Sequence, residues 1–132
     1  MATLSARKIE ESGLAGSLTT CTSGGDEFLN TGIEFIRIQN DHASQLYTVT
    51  VTAQTTAIRH ATYGSLTKSN TSVSVAAGGC AYIGPFKQNA WNDSNEKVQL
   101  TYIAGSSGST AISTVSSGDH KLKVELLYLD NQ

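Results

Sequence analysis

Apolar residues recur at every second position through much of this chain, a spacing that marks half-buried β-strands. In Tyr47–Ala53 the residues Tyr47, Val49, Val51 and Ala53 share one side, and three threonines take the other. Ile33–Gln39 alternates too, with Glu34, Ile36 and Ile38 on one face and Phe35, Arg37 and Gln39 on the opposite one. Further strands are predicted at Thr71–Ala76, Cys80–Ile83 and Lys97–Ala104, with a weak one at Ala111–Val115. The last, Lys121–Leu129, sets Leu122, Val124, Leu126 and Tyr128 against Lys123 and Glu125. Asn40–His42, Ala77–Gly79, Gly84-Pro85 and Asn92–Asn95 punctuate these runs as turns, while Gly105–Ser109 and Ser116–Asp119 read as loops. The stretch Thr55–Asn70 has no clear assignment. Seven or eight short strands without a convincing helix predict an all-β fold. The expected form is an antiparallel β-sandwich of the jelly-roll or another Greek-key type, with an immunoglobulin-like sandwich as its rival.

Residues 1–25 read differently from 26–132. Ser5–Ser12 predicts one or two helical turns, capped by Ser5 and stopped at Gly13. An isolated helix that short is marginal in water. Leu14–Gly25 is rich in Gly, Ser and Thr and has no period. The expected organisation is a partly extended N-terminal arm over 1–25, ordered against a partner or its own core, and a sandwich domain over 26–132. An edge strand near Leu18–Thr22 is the alternative for the arm's second half.

Composition sharpens this picture. A chain of 132 residues suits one domain with a single core. Only 15% of its residues are charged, against about 25% in an average soluble protein. Serine and threonine, 32 residues together, fill the difference. Such a surface carries few of the charges that keep free monomers apart, which points to an assembled protein. The net charge of -2 and the scattered Lys and Arg give no field for nucleic acid. No apolar run approaches the roughly 20 residues of a membrane span, and Met1–Gly13 lacks the apolar centre of a signal peptide. Neither a nucleic-acid nor a membrane partner is expected. Cys21 and Cys80 stand outside any CxxC pair and are expected as free, half-buried thiols.

Catalytic, metal and cofactor chemistry find no motif. His42, His60 and His120 each fall in or beside a turn or loop, the default setting of an exposed histidine. Asp26-Glu27 is a carboxylate pair, but strand geometry sends its members to opposite faces. Asp93 with Asn92 and Asn95 has calcium-ligand types, yet Asx-rich turns ordinarily serve the backbone. Gly105-Ser-Ser-Gly lacks the order of a nucleophile elbow. Tyr82, Phe86 and Trp91 form a possible aromatic platform for a sugar or a base. The competing reading, which has the greater weight, is that they plug one end of the core.

One series of residues carries a resemblance. Phe28-x-Asn30-x-Gly32-x-x-Phe35-Ile36-x-Ile38-x-Asn40 precedes Thr48-Val-Thr-Val51. Val73-x-Val75-Ala-Ala-Gly78, Ile83-Gly-Pro-Phe86, Trp91-Asn-Asp93 and Val98-x-Leu-Thr-Tyr102 follow. From Phe28 to Tyr102 this resembles the head decoration, or capsid cement, proteins of tailed bacteriophages. Gly105–Gln132 departs from the shorter pattern of that family. The resemblance implies a non-enzymatic virion protein on the capsid exterior, made in the host cytoplasm. It would bridge neighbouring major capsid proteins as a homo-oligomer, a dimer or trimer. Leu4, Arg7, Ile9 and Leu14 in the arm are the partner-binding candidates. A tail or fibre module, or a carbohydrate-binding sandwich, is the alternative.

Overall fold

The computed structural model describes residues 2–54, 57–60, 62, 64–67, 69–106, 112 and 121–129. The sequence-predicted strand at Ala111–Val115 lies outside them except for Ile112, and so do Ser116–Asp119, His120 and the side chain of His60. The strands are β1 (Ala2–Leu4), β2 (Arg7–Ile9), β3 (Thr19–Thr20), β4 (Asp26–Leu29), β5 (Glu34–Asn40) and β6 (Tyr47–Val51). They continue as β7 (Ala57–His60), β8 (Gly64–Thr67), β9 (Thr71–Val75), β10 (Cys80–Ile83), β11 (Lys97–Ala104) and β12 (Leu122–Leu129). One helical turn, α1 (Gln88–Trp91), precedes β11.

Two sheets pack face to face as a β-sandwich. The first runs β1-β4-β11-β6-β9, and the second runs β10-β5-β12-β2 with β3 beside β12. The hairpin β7-β8 stands apart in the stretch that lacked an assignment. Both sheets are mixed, where the sequence predicted antiparallel ones. The body strands pair antiparallel, whereas β1 joins β4 and β2 joins β12 in parallel. Both parallel pairings come from the arm. The predicted helix at Ser5–Ser12 gives way to a strand at Arg7–Ile9. One short helical turn gains little in water, and the open edge of β12 offers the same backbone groups partners across a ladder.

The alternating residues point where their period sends them. Ile36 and Ile38 of β5, Leu122, Val124 and Leu126 of β12, Val49 and Val51 of β6, and Val98, Leu100 and Tyr102 of β11 are buried between the sheets. Two asparagines tie the loops to this core. Asn30 donates through Nδ2 to the Phe86 carbonyl at 2.9 Å and accepts from the Gly32 N–H at 3.1 Å. Asn40 donates to the carbonyls of Gln45 and Val75. The turn after β10 requires glycine. Gly84 has φ of 127°, and a Cβ there would lie 2.9 Å from that of Phe35.

Candidate functional site

The outer face of the second sheet departs from the hydroxyl-covered surface that strand alternation predicts. Along β12 the outward positions run Lys123, Glu125, Leu127, Leu129, so the strand turns apolar outside as well as inside. Register assembles the neighbours. Leu127 stands between Phe35 and Arg7, Leu129 lies beside Ile9, and Arg37 lies between Glu125 and Tyr82. One step past the Tyr128–Glu34 pair, Ile33 comes level with Leu129. Tyr82 is 67% exposed, Leu129 54% and Ile33 47%.

A charged strut crosses this face. Glu125 is only 4% exposed although it points outward, because the chain between β2 and β3 passes over it. Its Oε1 accepts from Arg7 Nη1 at 2.9 Å and from the Ser17 N–H at 3.0 Å. Arg37 Nη1 lies 3.7 Å from its Oε2. A Cβ on Gly16 would sit 3.5 Å from that Arg37 nitrogen, in ordinary contact, so the arm lies directly over the ion pairs. The Cys80 side chain, hydrogen-bonded to the guanidinium, raises the Arg37 pKa. Between arm and sheet, Ile9, Leu14, Gly16, Tyr82 and Leu127 line a cavity of about 210 Å3 floored by Arg37 and Glu125.

The arm candidates therefore divide. Ile9 and Leu14 line this cavity and Arg7 reaches Glu125 from its edge, whereas Leu4 packs against the core and shares a second pocket with Arg7. The aromatic trio divides as well. Phe86 and Trp91 are buried, ring edge to ring face at 6.1 Å, and Tyr82 stands on the far side of β10. Tyr82 therefore does not share a surface with the other two. Phe86 and Trp91 plug one end of the sandwich.

Other polar groups serve the fold. Asp93 Oδ1 accepts from the N–H groups of Asn95 and Lys97, an Asx turn, and the Lys97 bond leads in drawing its pKa down. Asn92 is spent on Asn30. Glu27 points out of the first sheet to Lys97 at 2.8 Å, which lowers its pKa. Asp26, its chain neighbour, points in and accepts from Tyr102 Oη at 2.8 Å. Burial foremost raises the pKa of both Tyr102 and the adjacent Cys21, so both stay protonated. His42 Nδ1 accepts from Ser44 and Gln45 and closes its own turn. Cys21 and Cys80 are free thiols, one buried and the other exposed, where two half-buried ones were expected. Among the described residues no group of three His, Cys, Asp or Glu side chains is placed to hold a metal, and no helix is long and apolar enough to cross a membrane.

Sequence reasoning missed the strut. Glu125 alternates like any solvent-facing residue, and nothing in the local pattern says that residues 14–17 cover it. The two outward leucines of β12 were the available signal for the face. These features define a β-sandwich with an apolar, arm-crossed outer surface. The chain matches no known family, no curated protein and no solved structure.

Proposed function

We propose that this protein is a structural virion component that binds the outside of a tailed-phage capsid and cements neighbouring major capsid proteins, without catalysis. The observation that carries the reading is the outer face of the second sheet. Tyr82, Leu129 and Ile33 are large, exposed and apolar or aromatic, and they lie on the same face as an ion-paired strut whose Glu125 is buried while Arg7 and Arg37 stay partly exposed. Apolar surface rimmed by polar groups characterises protein docking sites. A subunit that binds two lattice neighbours stabilises the bound lattice by mass action alone. The residues that carry the resemblance to phage decoration proteins, Asn30, Asn40, Gly84 and Trp91 among them, fix the loops and the end of the sandwich, so they support the fold that the resemblance implies. The aromatic-platform alternative loses support, because Trp91 and Phe86 are more than nine-tenths buried and Tyr82 does not join them.

The test is rebinding to virus heads assembled without this protein. Wild-type protein is expected to saturate the heads and raise their resistance to heat. Tyr82→Lys combined with Leu129→Glu is expected to lower occupancy at least tenfold while the variant's own melting stays near wild type. Equal occupancy by the variant, or no binding by the wild type, refutes the proposal.

A further inference from the structure

The two sides of the sandwich end differently. On one side the arm supplies β1 and β2, so β4 and β12 are covered by three-residue strands that bring Arg7 and Lys8 to the edge. On the other side, among the described residues, the first sheet ends at β9, which pairs with β6. Among the described residues no backbone–backbone hydrogen bond reaches Thr71–Val75 from outside that ladder, and the Asn40 amide on the Val75 carbonyl is the side-chain bond that does. Sheet edges in native proteins are ordinarily guarded by a charge, a proline or a bulge. Thr71-Ser-Val-Ser-Val75 has none of these over five residues.

We infer that β9 joins two copies of this chain, antiparallel about a two-fold axis at Val73, so that the first sheet continues from one copy into the next. The register explains why the occupant is a second copy. Centred on Val73, the strand opposes Val73 to Val73, Ser72 to Ser74 and Thr71 to Val75. Opposed residues in an antiparallel pair share a face. The exposed Ser72 and Ser74 therefore stay on the outer surface, where they already bond Thr50 at 2.9 Å and Thr48 at 3.1 Å. Thr71, Val73 and Val75 stay on the inner side. No like charges meet, and Thr71, half-buried already, is the one polar side chain that turns inward, which leaves the strand self-complementary as a two-fold contact demands. The other open strand on this side, β10, is shorter and closes directly into Gly84-Pro85.

Five paired residues span about 17 Å and bury less than the roughly 1,200 Å2 of stable complexes. The contact is therefore weak in free solution and is strengthened wherever a surface holds two copies side by side. It does not depend on the capsid reading, and its test uses the free protein.

Sedimentation equilibrium at concentrations rising to about 1 mM, the range of tethered neighbours, is expected to show reversible dimers of the wild type. Ser72→Lys with Ser74→Lys sets like charges opposite each other twice, and is expected to weaken association at least about tenfold. Ser72→Lys with Ser74→Glu sets unlike charges opposite each other and is expected to restore it to within about threefold of wild type. Both serines are exposed, and thermal unfolding checks that each variant is folded. A wild type that stays monomeric over the whole range, or two variants that associate alike, overturns the inference.

Discussion

Trp91 shows how a residue's chemistry yields to its packing. Its indole sits against Phe86, and Phe86 in turn meets Phe28 at 5.7 Å, so the ring closes the end of the core. Trp91→Ala should therefore leave a cavity and cost roughly 3–5 kcal/mol, read from chemical denaturation. A near-neutral change would place the ring on the surface. The two thiols differ for the same reason. Cys21 is 2% exposed and its pKa is raised by burial first and by Asp26 as well, so its thiolate is suppressed. Titration with an aromatic disulfide should find one fast thiol in the native protein and the second only on unfolding, with Cys80→Ser removing the fast phase. Two fast thiols would contradict the burial of Cys21. At this scale the sequence showed the inward residues of each strand well. It did not show that Asp26, in the same strand as Phe28, would be buried with Tyr102, because a carboxylate at a strand's start reads as solvent-facing.

Strands whose side chains alternate were legible as elements: β6, β9, β11 and β12 lie within the ranges that periodicity assigned them, and β5 overruns its range only by Asn40, which the sequence reads as the start of a turn. The arm was not. Ala2–Leu4 and Arg7–Ile9 are too short to show a period, and they are strands because two sheet edges need backbone partners, a cause far away in sequence. The four-residue α1 was missed because its length gives no helical repeat either. The arm also has an energetic role that its composition hides, for Arg7 bonds a Glu125 side chain only 3% exposed. Deleting Met1–Gly13 is expected to leave the sandwich folded but less stable by about 1–3 kcal/mol, the cost of a buried acceptor losing a partner. Arg37 and the Ser17 N–H remain to moderate that loss. Circular dichroism and urea unfolding measure both parts. An unfolded truncation, or one as stable as the full chain, would contradict the role given to the arm, and its occupancy on heads is expected to fall as well.

At the scale of the whole molecule, the layered β architecture followed from alternation and turn spacing, but the order of strands did not. Side-chain period says which face a strand buries and nothing about which neighbour it takes. Here the chain passes back and forth between sheets, and β6 and β9 are the one consecutive body pair in a shared ladder apart from the β7-β8 hairpin. That routing places β12 in the middle of the second sheet, between β5 and β2. On the ribosome, residues 7–9 and 34–40 must then wait for residues 122–129 before they find each other's sheet. Until that stretch emerges, the faces of β5 have no ladder on one flank, and the nascent polypeptide is exposed to chaperones and to stray pairing over the more than 80 residues that separate the two strands.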